Sequence, residues 1–202
     1  MMKLSTEITD VIKRCLLPLE KTRDLAKNLN QAGSVYLHYP MEKKYARTIF
    51  CFDPYGGTSS SFELPQQTNF DFSMTRISQV DKTLYAFEFG NPVKAYKFEH
   101  IGTSRFHSIE LASLQRNLDG FAIAVHAPYD FYLTGGMVTD EVWKYSAKLD
   151  KWLDMPRMNH ARSSHASIVL RNHLYVMGGS YKGGSIECLL LVPYQRWAVL
   201  IE

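Results

Sequence analysis

Two stretches of this sequence decide the fold: residues 173–179 read HLYVMGG, and residues 130–136 read DFYLTGG. Each is a short apolar run with an early aromatic residue and a pair of glycines at its end, which is typical of a β-strand that leads into a turn. The first glycines of the two pairs, Gly135 and Gly178, lie 43 residues apart. Self-similarity at such a period predicts a fold made of repeated units.

A second landmark repeats at nearly the same period. Trp152 and Trp197 lie 45 residues apart, and each follows a glycine pair, a strand-like run and a turn. Weaker copies of the pattern stand upstream, at residues 81–90 (DKTLYAFEFG, with one glycine replaced) and at residues 34–39 (SVYLHY). Because two independent landmarks agree, chance is a poor explanation for the repeat.

The sequence beyond residue 34 favours an antiparallel all-β fold. Short runs rich in Tyr, Phe, Val and Ile alternate with Gly, Pro, Asn, Asp and Ser, and the pattern shows no convincing helix between them. Parallel strands need long crossover connections, usually helices. A parallel α/β architecture is therefore not expected.

With these landmarks, the chain resembles the kelch-repeat family, strongly over residues 114–202 and more weakly over residues 34–113. The residues that carry the resemblance are the two glycine pairs, Tyr132, Tyr145, Trp152, Tyr175, Trp197 and the stretch 155–166 (MPRMNHARSSHA). The resemblance implies an all-β fold, a partial kelch-type β-propeller of about four four-stranded antiparallel blades. It also implies structural roles for the glycines and aromatic residues, which allow close backbone approach and fill the space between blades.

The first part of the chain has a different pattern. Apolar residues recur at steps of three and four from Leu4 to Leu29, with charges on the other face and Pro18 interrupting the stripe. We therefore expect residues 1–33 to form an amphipathic helix kinked near Pro18, followed by a kelch-repeat β-propeller region at residues 34–202.

Composition and charge argue against several classes of partner. The net charge of +3 is small for 202 residues and forms no basic stripe, so no nucleic-acid partner is expected. No apolar run approaches the length of a membrane span, and no membrane partner is expected. Cys15, Cys51 and Cys188 lie far apart, without zinc-ligand spacing or a disulfide pattern, and predict a reducing, cytoplasmic location.

The sequence offers no catalytic or metal site. His160 and His165 form one of the closest histidine pairs, but they lie on predicted loops without accompanying cysteines, which favours surface or turn histidines. Neither an H-E-x-x-H motif nor a G-x-S-x-G motif occurs. We therefore expect no metal, no cofactor and no enzyme activity.

A non-catalytic protein–protein interaction module, a scaffold or adaptor, is the function that the resemblance implies. In kelch-like propellers the loops on one blade face bind partners, and here that face includes residues 115–117, 138–140 and 159–162. The residues expected to contact a partner protein are Arg162, Arg116, Tyr181, Asn159, His160 and Asn117. The alternative for Arg162 is a buried structural arginine.

Two other functions stay open on the sequence. Some propellers are enzymes that act on sugars or other small molecules, although such a site needs convergent polar groups or a metal. A truncated product without an independent role is the third alternative. An open propeller edge or the N-terminal helix also allows self-association.

Overall fold

The computed structural model describes residues 35–38, 48–52, 59–63, 75–80, 83–99, 107–126, 128–180, 185–191 and 196–201. The chain divides into two compact units, Met1–Thr68 and Asn69–Glu202. The described residues contain strands, turns and bends but no helix. The amphipathic helix expected at residues 1–33, with its kink near Pro18, lies outside the described residues, so that helix and the domain boundary after it stay predictions.

The described residues of the first unit form one antiparallel sheet, which we call sheet 1. Its strands are β1 (Val35–His38), β2 (Thr48–Phe52) and β3 (Ser59–Glu63), hydrogen-bonded in that order. Cys51 of β2 pairs with Tyr36 on one side and Ser60 on the other. This is the weakest copy of the repeat, yet it keeps the antiparallel pairing.

The part of the second unit that the structure describes forms three four-stranded antiparallel sheets. Sheet 2 consists of β4 (Thr75–Val80), β5 (Thr83–Glu88), β6 (Val93–Glu99) and β7 (His107–Leu114). Sheet 3 consists of β8 (Ala122–His126), β9 (Asp130–Gly136), β10 (Thr139–Ser146) and β11 (Lys151–Met155). Sheet 4 consists of β12 (Ala166–Leu170), β13 (His173–Met177), β14 (Ile186–Leu190) and β15 (Trp197–Ile201).

Each of these sheets is a meander in which every strand pairs with its neighbour in the chain. Short turns make this possible: Arg171 and Asn172 join β12 to β13 with φ values of 48° and 60°. Positive φ at both central residues suits a tight hairpin whose twist matches that of its strands. The sheets confirm the predicted all-β fold, and three four-stranded antiparallel sheets in succession are consistent with a partial kelch-type propeller.

Sheets 2 and 3 pack through aromatic residues. The rings of Tyr85 and Phe87 on β5 lie 4.6 and 5.4 Å from the ring of Phe131 on β9, measured between centroids. Tyr145 and Trp152 of sheet 3 join the same cluster. Because buried aromatic side chains remove large apolar areas from water, this cluster is a principal source of stability for the second unit.

Sheets 3 and 4 pack mainly through aliphatic residues and methionines. Tyr132, Val142 and Met155 of sheet 3 meet Leu174 and Val176 of sheet 4. All five side chains are buried. Sheet 3 therefore has one face against sheet 2 and the other against sheet 4, as expected for consecutive blades.

The two tryptophans of the repeat have equivalent contacts. Trp152 Nε1 on β11 donates a hydrogen bond to the carbonyl oxygen of Ala112, 2.7 Å away on the last strand of sheet 2. Trp197 Nε1 on β15 donates to the carbonyl oxygen of Pro156, 2.8 Å away, directly after the last strand of sheet 3. Each indole thus ties its sheet to the preceding one.

The two glycine pairs lie at matching corners, where the second strand of each sheet ends: Gly135 and Gly136 close β9, and Gly178 and Gly179 follow β13 directly. Gly135 and Gly178 have φ values of 62° and 71°, a conformation that glycine adopts without steric cost. A Cβ atom at Gly135 would overlap the carbonyl oxygen of Arg162, and one at Gly179 would lie 2.6 Å from the carbonyl oxygen of Ser163. The glycines therefore make room for the link between sheets 3 and 4.

Candidate protein-interaction site

Three loops of the second unit meet at one end of sheet 3. They are the link from β7 to β8 (residues 115–121), the tip of the β9–β10 hairpin (residues 137–138) and the link from β11 to β12 (residues 156–165), and together we call them the loop face. The N–H of Met137 donates to the carbonyl oxygen of Asp119 at 2.6 Å, and the N–H of Ser164 donates to that of Gly120 at 2.9 Å. The N–H of Met158 donates to the carbonyl oxygen of Asp140 at 2.9 Å. Backbone hydrogen bonds therefore hold the three loops together.

The hairpin tip presents two apolar side chains to solvent. Met137 is 65% exposed and Val138 is 72% exposed. Val138 has φ of 61°, a left-handed conformation that a β-branched residue rarely adopts. Turn positions of this kind are usually taken by Gly or Asn. The tip therefore combines exposed apolar surface with local backbone strain.

Charged side chains surround the tip in a paired network. Arg157 donates to Asp140 Oδ1 at 2.7 Å and to Glu141 Oε1 at 3.2 Å. Glu141 Oε2 accepts from the indole N–H of Trp143 at 2.8 Å and lies 3.7 Å from Nε of Arg116. The guanidinium of Arg116 also lies 5.2 Å from the ring centroid of Trp143. Because two arginines balance two carboxylates, this rim carries no net charge.

Arg162 is fully buried beneath the loop face, between sheets 3 and 4. Its Nη2 donates to Glu187 Oε1 at 2.6 Å and to Ser185 Oγ at 2.8 Å, and its Nη1 donates to the carbonyl oxygen of Gly178 at 2.9 Å. Its Nε has no hydrogen-bond partner within the described residues. Glu187 is also fully buried, so the two side chains form a desolvated ion pair.

Besides pairing with Arg162, Glu187 also holds other residues of the link from β11 to β12 in place. Its Oε2 accepts the backbone N–H of Asn159 at 2.7 Å, and its Oε1 lies 3.1 Å from Nδ1 of His160. Burial acts to raise the pKa of Glu187, but the hydrogen bonds from Asn159, Arg162 and His160 outweigh it and lower the pKa below the ordinary value. Glu187 is therefore held as a carboxylate.

His165 lies in a second buried polar cluster between the same two sheets. Its Nε2 is 2.8 Å from Thr134 Oγ1, which is also 2.5 Å from Ser167 Oγ. The Nδ1 atom is buried and has no hydrogen-bond partner within the described part of the chain. Burial, followed by the nearby charge of Arg162, lowers the pKa of His165 to about 4. The imidazole is therefore neutral at physiological pH.

The structure brings four of the six predicted partner-contact residues to the loop face with exposed or partly exposed side chains. Arg116, Asn117 and Asn159 are exposed, and His160 is partly exposed. Arg162 has no exposed surface. It therefore matches the alternative considered on the sequence, in which it is a buried structural arginine. Tyr181 lies outside the described residues. Contact of any of these residues with a partner stays a prediction.

Sequence reasoning missed several important residues of this region. Glu187 is the partner of Arg162, and its only signal was a charge within an otherwise apolar strand. His165 lies on the predicted loop, but its imidazole points into the interface rather than to solvent. Met137 follows the glycine pair at a turn, where polar residues are usual, and that exception was a usable signal.

Within the part of the chain that the structure describes, no three His, Cys, Asp or Glu side chains lie close enough together to hold a metal ion. None of the described residues forms a helix of the length and apolar character that a membrane span requires. Neither finding adds a chemical activity to the loop face.

Comparison with known proteins gives three partial matches. Kelch-like protein 21 of Danio rerio is 38% identical over 63 residues, and Kelch-like protein 6 of Homo sapiens is 37% identical over 51 residues. Kelch-like protein 23 of Homo sapiens is 34% identical over 64 residues. The matches cover 29%, 25% and 29% of this chain but only 10%, 8% and 12% of the respective relatives. No family model matches the chain.

Proposed function

Since the chain contains repeats of the kelch family, we propose that it is a non-catalytic protein-interaction module, a scaffold or adaptor that binds another protein through the loop face. The proposal includes the cytoplasm as its compartment, which rests on the cysteine pattern alone. The matched relatives are kelch-like proteins by name, and they support the same type of repeat for this chain.

The left-handed backbone and the exposed side chain of Val138 are the observation on which the proposal rests. A β-branched residue in the left-handed region raises the free energy of the folded state by roughly 1–2 kcal/mol. Its side chain is 72% exposed, so it makes few contacts within the chain that offset this cost. A strained, exposed apolar residue is expected where it contributes to binding, since it contributes little to folding.

The buried network beneath the loops supports the same function. Arg162 and Glu187 attach the link from β11 to β12 to sheet 4, and the N–H of Met158 attaches that link to the hairpin. A surface that is already ordered loses less conformational entropy on binding. In this proposal Arg162 is a positioning residue, while Arg116, Asn117, Asn159 and His160 contact the partner.

The part of the loop face that contacts the partner should be apolar at its centre, with a polar and nearly neutral rim. Met137 and Val138 supply the apolar centre, and the paired charges of Arg116, Arg157, Asp140 and Glu141 supply the rim. This arrangement resembles the general anatomy of protein interfaces, in which a dry centre is enclosed by polar groups. Tyr181 is expected to extend this surface, on sequence grounds.

Val138→Asn tests the proposal because it separates folding from binding. Asparagine tolerates positive φ, so we expect the free energy of unfolding to rise by about 1 kcal/mol. The loss of the apolar side chain should weaken capture of a partner protein at least about tenfold. Stability is measured by urea denaturation and capture by pull-down with the immobilised chain, followed by titration of the captured protein.

Leu149→Asn is the matched control, because Leu149 is an exposed apolar residue (62%) in the turn between β10 and β11. This variant should capture the partner as the unaltered chain does. The proposal fails if Val138→Asn leaves partner affinity unchanged. It also fails if the purified chain turns over a sugar and that turnover is lost in His160→Ala.

A further inference from the structure

The last strand of sheet 2, β7, forms an edge that sheet 3 covers only in part. At Ala112 the N–H donates to Asp150 Oδ1 at 2.8 Å, and the carbonyl oxygen accepts the indole N–H of Trp152 at 2.7 Å. Two side chains of sheet 3 therefore satisfy the backbone groups that a further strand would otherwise bind. Both groups of Ala112 thus point away from β6.

The first half of β7 continues the same edge without this cover. Alternate residues of a strand direct their N–H and C=O groups to the same side, so Ser108 and Glu110 direct theirs as Ala112 does. Residues 107–110 are exposed. Among the described residues, Ser108 and Glu110 make no backbone hydrogen bond beyond the pairing of β6 with β7. Two N–H and two C=O groups are therefore open to an added strand.

This edge is also longer than its counterpart on sheet 3. β7 has eight residues, whereas β11, the last strand of sheet 3, has five. Exposed edges are commonly kept short or interrupted by a bulge, because a long regular edge pairs with other chains. In β7 the irregularity lies between Leu111 and Leu114, in the covered half, and the exposed half pairs with β6 in regular register.

Apolar side chains flank the exposed half of β7 on the side of sheet 3. Ile109 is 37% exposed, and it shares a strand face with Leu111, which packs against the aromatic cluster between sheets 2 and 3. Tyr129, in the turn between β8 and β9, is 44% exposed. Lys97 pairs with Ile109 in the register and interacts electrostatically with Tyr129, which places Tyr129 on the same side. A strand added to β7 would therefore meet apolar surface there.

We propose that β7 binds an extended segment of a partner protein, which adds to sheet 2 as a fifth, antiparallel strand opposite residues 107–111. Backbone groups two residues apart along an edge match those of a strand, whereas a helix uses its own N–H and C=O groups internally. Every pairing within sheet 2 is antiparallel, and the added strand continues that order.

The chemistry of the segment follows from the two sides of the edge. Opposite Ile109 it should carry an apolar side chain, which packs toward Tyr129. Opposite Ser108 and Glu110 it should carry polar side chains on residues whose N–H groups face β7. This surface is separate from the loop face, and the inference does not rest on the proposed function.

A capped synthetic peptide in which Val or Ile alternates with Thr, with a Lys at each end, is the probe. It suffices because a strand added to an edge is held mainly through its backbone. The peptide is titrated to about 1 mM into the full chain and followed by NMR. At ten times the dissociation constant, hydrogen exchange at the amides of Ser108 and Glu110 should slow about tenfold, because only the unbound chain exchanges. The amide of Ile109, which faces β6, should not change.

Glu110→Pro separates backbone recognition from side-chain contact. Proline removes the outward N–H but keeps the pairing with β6, because an edge strand accepts proline where the N–H faces outward. This variant should raise the dissociation constant of the peptide at least about tenfold, whereas Glu110→Ala, which keeps the N–H, should change it less than about threefold. Thermal melting establishes that both variants are folded.

N-methylation of the peptide is the complementary test. Methyl groups on the Thr amides, which face β7 in antiparallel pairing, should abolish binding, and methyl groups on the Val and Ile amides should not. The proposal is overturned if the peptide does not bind, if exchange at Ser108 and Glu110 is unchanged, if Glu110→Pro binds normally, or if both methylated peptides bind equally. Partner capture through the loop face should be the same in Glu110→Pro, so the two proposals can fail separately.

Discussion

The contact between sheets 2 and 3 and the contact between sheets 3 and 4 occupy equivalent places in the repeat but are built differently. The first is an aromatic cluster of Tyr85, Phe87, Phe131, Tyr145 and Trp152. Its hydrogen bonds lie at the rim, where Tyr145 donates to Asp150 at 2.6 Å. The second encloses an ion pair and a neutral histidine among aliphatic residues.

The difference shows that one architecture accommodates two sources of stability. Apolar burial is not directional and does not titrate, so the first contact should hold across a wide range of pH. The second contact depends on the charge states of its buried polar groups, because hydrogen bonds hold Glu187 as a carboxylate and burial keeps His165 neutral. That polar contact lies directly beneath the loop face. It orders the link from β11 to β12, which carries Asn159 and His160.

Arg162→Met should give the largest effect and break the polar contact. Removal of one partner from a buried pair leaves Glu187 as an uncompensated charge, so we expect a loss of about 3–5 kcal/mol in the free energy of unfolding. Urea denaturation of the full chain measures it. Arg157→Met, at an exposed arginine of the same link, should change stability far less. Recovery of stability in the double variant Arg162→Met, Glu187→Leu would attribute the loss to the pair, whereas an unaffected single variant would refute this account.

The pH dependence of stability is a second way to distinguish the polar contact from the aromatic contact. His165 has its pKa lowered from 6.5 to about 4 in the folded state, so acid favours the unfolded chain, which takes up the proton first. Stability is unaffected above pH 6.5 and falls by about 3 kcal/mol as the pH drops from about 6.5 to about 4.

His165→Gln should remove this slope, which urea denaturation at a series of pH values measures. The lowered pKa of Glu187 acts at more acid pH, because its stabilisation is lost only as the pH falls below the ordinary carboxyl value of 4.5. The slope between pH 6.5 and pH 4.5 therefore reports His165. An identical slope in His165→Gln between these two pH values would contradict the assignment to His165.

Tyr145→Phe should give the smallest effect, because it alters only the rim of the aromatic contact. The hydroxyl hydrogen bond to Asp150 is lost while the ring stays, and Asp150 is exposed to water. We expect about 1 kcal/mol of destabilisation in chemical denaturation at neutral pH. Tyr175→Phe, at a partly buried tyrosine of β13, is the matched control and should be nearly silent.

The repeat made the sheets predictable because glycine and tryptophan have conspicuous structural roles. Gly135 and Gly178 mark corners where the backbone needs positive φ, and Trp152 and Trp197 mark the last strands. Sheet 2, whose second strand is followed by a single glycine, Gly90, was predicted from its spacing relative to these copies. Such features depend on local backbone geometry, which sequence carries directly.

The polar contact was not predictable in the same way. Arg162 and Glu187 lie 25 residues apart, on a link and on a central strand, and only the folded chain brings them together. The sequence left Arg162 open between two roles because an arginine before a strand suits either a loop surface or a buried pair. His165 likewise depends for its burial on Thr134 of another sheet.

The indole hydrogen bonds have a consequence for how the chain is made. Trp152 and Trp197 each donate backwards, to a carbonyl group that precedes them by about forty residues. Every strand of sheets 2 to 4 also pairs with its neighbour in the chain. During synthesis each new sheet can therefore be completed and docked on one already formed, without waiting for residues still inside the ribosome.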